Sequence, residues 1–156
     1  NPLHLYPAPA VYTVSLVVTT LDGCKDTIQK TLDVYPGPKA AFFINGICLD
    51  EIAQFNDSSS IQFGNITNWS WNFGDGNQST SPSASHMYAT PGTYTVRLTV
   101  LSDRGCWDTL VKTIDIYPMP LAEFSESSYC IDDGTIFINS SSIASGSMSY
   151  QLSWGD

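Results

Sequence analysis

The two histidines of this 156-residue chain are the side chains best suited to proton transfer at neutral pH. His4 and His86 lie 82 residues apart, and each is followed two positions later by a tyrosine. A catalytic histidine needs a serine or cysteine nucleophile and an orienting acid, and the sequence has no G-x-S-x-G motif. Because the two histidines occupy equivalent places, we predict that they pack or form hydrogen bonds. We predict no catalytic residue and no enzymatic activity.

Carboxylates are the second group that could carry chemistry. Asp75 and Asp156 each follow a glycine, in a turn where aspartate most simply accepts backbone N–H hydrogen bonds. Calcium takes clustered oxygen ligands, but Asp50-Glu51 and Asp132-Asp133 are only short pairs, and no dense D-x-D-x-D run is present. We therefore predict no bound metal and no cofactor, with calcium as the weaker alternative.

An internal repeat of 82 residues is the strongest feature of the sequence. Residues 12–16 (YTVSL) return as residues 94–98 (YTVRL), and Tyr-Pro-x-Pro segments begin at Tyr35 and Tyr117. Proline restricts itself and the residue before it to extended conformations, so these segments are natural boundaries. The repeat predicts three segments: residues 1–37 as the back half of one repeat, 38–119 as a complete repeat, and 120–156 as the front half of a third.

The hydrophobic pattern within the repeat has a period of two. Val96, Leu98 and Val100 alternate with polar residues, which is typical of a half-buried strand. No window predicts an amphipathic helix. The pattern predicts an all-β sandwich with Trp69, Trp71 and Phe73 on the core face. The expected strands are 40–44, 51–56, 67–74, 78–81, 92–102 and 107–117.

The segment at 71–76 (WNFGDG) resembles the W-x-F-G-D-G hallmark of the PKD (polycystic kidney disease) domain. His86-x-Tyr88 and the segment at 91–96 (PGTYTV) resemble the same family, in the same order. Residues 120–156 depart from the pattern, because Leu152 and Trp154 replace the tryptophan and phenylalanine. The resemblance implies tandem immunoglobulin-like β-sandwiches of extracellular arrays, or accessory modules of secreted enzymes. It implies a structural role for Trp71, Phe73, Gly74, Asp75, Gly76, His86 and Tyr88.

Four cysteines at a regular period suggest disulfides in a secreted chain. The candidates are Cys24, Cys48, Cys106 and Cys130. In the sandwich topology, Cys106 lies at the end where the domain begins and Cys48 at the opposite end, too far apart for one bond. We expect Cys48 to bond the hairpin-turn cysteine of the next repeat, beyond residue 156. The sequential pairs Cys24–Cys48 and Cys106–Cys130, or free thiols, are the alternatives.

Three further side chains are candidates for surface modification or contact. Thr27 and Thr109 follow an aspartate at equivalent repeat positions, in segments similar to an O-glycosylation signal of some secreted bacterial proteins. The alternative is an Asp-Thr pair that simply starts a strand. Trp107 replaces Lys25 at its repeat position, so the fold does not dictate it. It is a candidate contact to a glycan or a neighbouring module, or an incidental exposed ring.

Composition limits the classes of function. The formal net charge of −9 disfavours binding to nucleic acid, and no apolar run approaches the roughly 18 residues of a membrane span. We expect a non-catalytic, extracellular or cell-surface section of a tandem stalk or filament. Its partners would be neighbouring repeats or identical subunits, with glycans or cell-surface ligands as further candidates. The alternative is a carbohydrate- or protein-binding accessory module of a secreted hydrolase.

The two flanking segments are complementary halves of one repeat. Residues 1–37 lack the front strands, and residues 120–156 supply strands of that kind. Either one longer covalent chain or strand complementation between subunits would complete the sandwich. The covalent chain is the simpler expectation.

Overall fold

A computed structural model describes residues 2–127 and 134–154 of the chain. The regular structure in this part is all β-strand, which confirms the predicted fold class, and no helix in it could cross a membrane. The strands are β1 (Ala10–Thr19), β2 (Lys25–Val34), β3 (Phe42–Asn45), β4 (Ala53–Asp57), β5 (Ile66–Asn72), β6 (Gln78–Ser79), β7 (Ala84–His86), β8 (Gly92–Ser102), β9 (Trp107–Ile116), β10 (Phe124–Glu126) and β11 (Phe137–Asn139).

The complete repeat consists of two antiparallel sheets. One has the strand order β3-β4-β7 and the other the order β6-β5-β8-β9. The longest strands, β8 and β9, pair in continuous register from Gly92↔Ile116 to Leu101↔Trp107. Their alternation of apolar and polar residues gives the pair one face that must be covered, and the smaller sheet covers it.

The core of this sandwich combines a cluster of aromatic rings with a set of aliphatic side chains. Trp71 is fully buried, and its ring centroid lies 5.1 Å from that of Phe42 in an edge-on arrangement. The rings of Phe55 and Phe73 are 4.9 Å apart. They pack with buried aliphatic side chains of the long hairpin, which are Val96, Leu98, Val100, Ile114 and Ile116. Trp69 packs at the edge of the core, so all three aromatic residues of the third predicted strand lie against it.

The first segment is a two-stranded hairpin in the same register as β8 and β9. Its ladder runs from Ala10↔Val34 to Thr19↔Lys25, 82 residues before the ladder of the complete repeat at every pair. No smaller sheet covers this hairpin in the described part of the chain, so its apolar side chains are exposed. Leu16 and Ile28 are examples.

The third segment contains the counterpart of the smaller sheet. β10 pairs with β11 from Phe124↔Asn139 to Glu126↔Phe137, again 82 residues after the pairing of β3 with β4. The ring centroids of Phe124 and Phe137 are 5.7 Å apart, and those of Phe137 and Trp154 are 5.1 Å apart. The arrangement of these three rings resembles that of Phe42, Phe55 and Phe73 in the complete repeat.

The predicted strands are shifted by one or two residues at several ends, and the largest difference lies at β6 and β7. The sequence predicts one strand at 78–81, whereas β6 ends at Ser79 and a separate three-residue strand, β7, pairs with β4. β7 is preceded by Ser-Pro-Ser, which reads as a loop, and it is too short to show a period of two. Only its pairing with β4 makes it a strand.

Adjacent phenylalanines in β3 provide a matched test of the sandwich. Phe42 is buried, whereas Phe43 is 53% exposed on the other side of the strand. We expect Phe42→Ala to lower the free energy of unfolding by about 3–5 kcal/mol, because it leaves a cavity against Trp71. Phe43→Ala should change it by about 0.5 kcal/mol or less. Urea unfolding followed by tryptophan fluorescence measures both, and equal effects would contradict the burial of Phe42.

Candidate binding face

The motif at 71–76 ends strand β5 and begins the turn into β6. The Trp71 ring is buried, and its Nε1–H donates to the backbone oxygen of Ser81 at 2.9 Å. This bond satisfies the one polar atom of the indole, so the ring can lie in the core without an unpaired donor. Trp71 therefore ties the turn after β6 to the centre of the sandwich.

Gly74 is required by close approach of two backbones. It has a φ of +87°, and a Cβ at this position would lie 2.7 Å from the backbone oxygen of Thr95. Any other residue would have to push β8 away. A left-handed conformation favours glycine as well. The glycine of the motif is therefore explained by packing, with no ligand needed.

Asp75 and His86 form the polar centre of the motif. His86 Nε2 lies 2.6 Å from Asp75 Oδ2, and the side chains are 12% and 17% exposed, respectively. Asn77 donates to Asp75 through its backbone N–H at 3.0 Å and through Nδ2 at 2.9 Å. The His86 ring also stacks on Phe73, with centroids 4.4 Å apart. The carboxylate thus joins the turn to β7.

The ionisation of Asp75 follows from these contacts. Partial burial by itself would raise its pKa, but the hydrogen bonds from Asn77 and the interaction with His86 outweigh burial and lower the pKa below its usual 3.8. Tyr88, which donates to the backbone oxygen of Phe73 at 3.0 Å, has a pKa raised by burial and by the nearby charges of Asp75 and Tyr94. Both groups have intramolecular partners, which is typical of a structural cluster.

The outer face of the larger sheet presents a different chemistry. Trp107 lies there at the start of β9 and is 69% exposed, directly opposite Leu101. Along the same face, the hydroxyls of Thr99 and Thr109 are 2.8 Å apart, and Val111 is exposed. We call this surface the outer face and define it by Leu101, Trp107, Val111 and the threonines at 95, 99, 109 and 113. It combines one aromatic ring with rows of hydroxyls, and it also carries Arg97, which lies opposite Val111, and Asp115, which accepts from the hydroxyl of Thr93.

The sequence singled out Trp107 but not its surroundings. Leu101 and Val111 alternate with core residues of their strands, so the period of two could have placed them on the outer face. Both also differ from their counterparts in the first segment, which are Thr19 and Gln29.

Comparison with known proteins identifies the fold family. The family model of the PKD domain matches residues 33–117, more than half of the chain. The chain belongs to the PKD domain family. The PKD1 domain of the Vibrio cholerae metalloprotease PrtV is 34% identical over 52% of this chain and 98% of that domain, with a TM-score of 0.47. The predicted resemblance is therefore confirmed.

Two further proteins resemble parts of this chain. Collagenase ColA of Bacillus cereus is 43% identical over 61 residues, which are 39% of this chain and 6% of the collagenase. A carbohydrate-binding module of the β-sandwich superfamily shares the fold at 24% identity, with a TM-score of 0.52 over 65% of this chain and 52% of that one. This chain thus spans a small part of the collagenase. The PKD domain is itself non-catalytic, and the matching proteases and collagenases are secreted, which supports an extracellular location.

Metal ligands do not assemble in the part of the PKD chain that the structure describes. No three His, Cys, Asp or Glu side chains come close enough there to hold an ion. The oxygens of Asp75 face Asn77 and His86. Asp132, Asp133 and Asp156 lie outside the described residues.

The two candidate glycosylation threonines differ in environment. Thr27 lies in the exposed hairpin, where its N–H donates to Asp26 Oδ1 at 2.8 Å. Thr109 lies on the outer face and shares a hydrogen bond with Thr99. Both lie within a strand, as the simpler interpretation of the Asp-Thr pairs requires. Glycosylation at either stays a prediction.

Cys48 and Cys106 are free and lie at opposite ends of the complete PKD repeat. Cys48 pairs with Tyr117 in a parallel bridge, beside the linker that leaves the repeat. The Cβ of Cys106 lies 3.8 Å from where a Cβ on Gly37 would be, beside the linker that enters it. Cys24 is also free, so no bond joins it to Cys48 in this structure. Cys130 lies outside the described residues, and the disulfide between repeats stays a prediction.

The linker that enters the repeat packs on it through an interaction that the sequence does not predict. The guanidinium carbon of Arg104, in the β8–β9 turn, lies 3.7 Å from the ring centroid of Tyr35. This cation–π contact holds the first Tyr-Pro-x-Pro segment against the complete PKD repeat.

The dependence of stability on pH tests the contribution of ionised Asp75 to the fold. The lowered pKa means that ionised Asp75 stabilises the fold fully above about pH 4, and that this contribution is lost as the pH falls through the native pKa, below 3.8. We expect Asp75→Asn to be less stable than the parent at pH 7, with a smaller difference at pH 2.5. Urea unfolding at both values measures this, with the exposed turn residue Asp22→Asn as the control. A difference independent of pH would contradict it.

The two histidines give a second matched pair. His86→Ala removes the bond to Asp75 and the stacking on Phe73, so we expect the free energy of unfolding to fall by about 1–2 kcal/mol. His4 has the equivalent position in the first segment, before β1, and its ring contacts Tyr6. His4→Ala should leave the unfolding of the complete repeat unchanged. Thermal and urea unfolding compare the two variants, and equal losses would refute the assignment.

Proposed function

We propose that this PKD chain is a non-catalytic accessory module of an extracellular protein, and that its outer face holds an extended protein substrate. The observation that carries the proposal is the exposed ring of Trp107 on a sheet surface rich in hydroxyl groups. The relatives support the same role, because PKD domains form part of bacterial collagenases and metalloproteases. The comparisons thus favour the accessory-module alternative over the stalk that the sequence first suggests.

The outer face has the chemistry for a rigid, proline-rich strand. A tryptophan ring packs on prolyl rings with little loss of conformational freedom. Hydroxyls such as that of Thr113 can donate to the free backbone carbonyls of an extended chain, which are not used within a polyproline II helix. Leu101 and Val111 add apolar area beside the ring.

A second function, as a spacer between domains, is favoured by the structure of the linkers. A cleft lined by Pro91, Thr93, Tyr117 and Ser145 occurs at the second linker. Its counterpart at the first linker is lined by Pro9, Val11, Tyr35 and Phe63, each 82 residues earlier. A junction with the same geometry twice would hold consecutive modules at a fixed spacing, which suits an accessory module beside a catalytic domain.

Binding to insoluble collagen fibrils tests the proposed function. We expect the parent chain to co-sediment with the fibrils, and Trp107→Ala to raise the dissociation constant about tenfold or more, as loss of an aromatic anchor does. Phe43→Ala is the matched control, because Phe43 is an exposed aromatic residue on the other sheet. It should bind as the parent does.

The outcomes against the proposal are distinct. Equal losses for Trp107→Ala and Phe43→Ala would remove the outer face as the site. Binding to cellulose or chitin in place of collagen, lost in Trp107→Ala, would replace the protein substrate with a polysaccharide. An absence of binding to all three polymers would leave the spacer as the better-supported function.

A further inference from the structure

The first and third segments carry the two halves of an interface that the complete repeat displays in full. The inner face of the β1–β2 hairpin, which we call the open face, consists of Val14, Leu16, Val18, Ile28 and Leu32, and it is exposed. Their counterparts in β8 and β9 are Val96, Leu98, Val100, Leu110 and Ile114, which pack in the core. The same side-chain pattern in the same register is therefore covered in one repeat and bare in the other.

The covering element is present in the chain as well. Residues 120–127 and 134–154, which we call the front half, hold Phe124, Phe137 and Trp154 in a ring cluster like that of the complete repeat. Phe124 and Trp154 are more than half exposed. Smaller contacts recur too: Ser141 Oγ donates to the backbone oxygen of Glu123, as Ser59 Oγ donates to that of Ala41.

Polar contacts that join the two halves of the complete repeat also have both partners available. Asp108 Oδ2 accepts the N–H of Ala40 at 2.8 Å, and Lys112 Nζ donates to the backbone oxygen of Phe42 at 2.6 Å. Asp26 and Lys30 stand at the equivalent places in the hairpin. Ala122 and Phe124 stand at the equivalent places in the front half.

The free edge of the hairpin supplies a further complement. β8 has neighbours on both sides, β5 and β9, whereas β1 pairs with β2 alone in the described sheets. The partner of β8 across that second edge includes Trp71, which lies opposite Leu98. Residues 150–154 occupy the corresponding place in the front half but form no strand. An edge with no partner strand and a segment that belongs to no strand are the two components of strand addition.

From these observations we infer that the open face binds the front half of a second copy of this chain, head to tail. The front half of one copy would complete the sandwich on residues 10–34 of the next. Because the two surfaces differ, each copy can bind one neighbour at each end, and the assembly grows with concentration. The inference does not depend on the proposed substrate.

Oligomeric state tests the open face directly. Analytical ultracentrifugation of the whole 156-residue chain should give a weight-average mass that rises with concentration to at least twice that of the monomer. Leu16→Asp should stay monomeric. Val17→Asp is the matched control, because Leu16 and Val17 are 60% and 54% exposed but point to opposite faces of β1. It should assemble as the parent does.

Mixing two variants distinguishes specific docking from non-specific association. Phe124→Asp should also be monomeric, because it disables the front half and leaves the open face intact. A mixture of Leu16→Asp with Phe124→Asp has one competent surface on each copy, so it should form a 1:1 dimer and nothing larger. Cooperative unfolding of the complete repeat, followed by tryptophan fluorescence, should be the same in every variant, since neither residue lies in its core.

The cysteines report the geometry of the dimer. In the complete repeat Cys106 lies beside Gly37, and the residues equivalent to this pair are Cys24 and Met119. Docking would therefore place Cys24 of one copy beside Met119 of the other. Met119 is two residues from Tyr117, which pairs with Cys48. In a Cys106→Ser, Cys130→Ser background, a short bismaleimide should join Cys24 to Cys48. Equal amounts of ¹⁴N- and ¹⁵N-labelled chains should give mixed-isotope peptides.

Three results would overturn the inference. A parent chain that stays monomeric at high concentration would show that this front half does not bind the open face between copies. Assembly lost equally in Leu16→Asp and Val17→Asp would show non-specific association. Cys24–Cys48 peptides of one isotope only would show that any bridge forms within a single chain.

Discussion

The fold depends on covering one face of a long antiparallel hairpin. β8 and β9 are each ten or more residues long, and alternation gives them an apolar face that no two-stranded sheet can shield by itself. In the complete repeat, Phe42 and Phe55 of the smaller sheet close over that face, and Trp71 extends it beside Leu98. The contribution of these rings is mainly hydrophobic burial. The motif turn, the short strand β7 and the linkers are arranged around this one contact.

The motif residues serve that contact more than any ligand. Gly74 lets the turn approach β8, and Asp75 joins the turn to His86, whose ring lies on Phe73. Each polar group of the cluster bonds to a neighbour in the chain. The surface available for recognition is therefore the outer face, where the side chains point away from the core. Residues there can change for binding without changing the packing of the core. A substitution such as lysine to tryptophan at the start of β9 changes that surface at little cost to the sandwich.

The sequence predicts the fold well because two independent patterns agree. The period of two locates the long strands, and the 82-residue repeat locates their neighbours. The sequence does not predict β7, because three residues are too few to show a period of two. Only the pairing of β7 with β4 makes it a strand. Trp107 is found as a deviation between repeats. The surroundings of Trp107, formed by Leu101 and Val111, are not predicted, because no local signal marks one sheet face as functional. Arg104 on Tyr35 is a contact of long sequence separation, which a one-dimensional pattern does not contain.

The parallel bridge between Cys48 and Tyr117 has a mechanical consequence. Tyr117 donates to the oxygen of Ile47 at 2.8 Å and accepts from the N–H of Leu49 at 2.7 Å, so the chain leaves the repeat along a neighbouring segment. Tension applied through Pro118 would load both bonds side by side in shear, and neither could yield alone. The linker would begin to stretch only after Tyr117 had been pulled from the repeat. The exit from the sandwich is thus a clamp, and the length of linker free to extend is set by where that clamp ends.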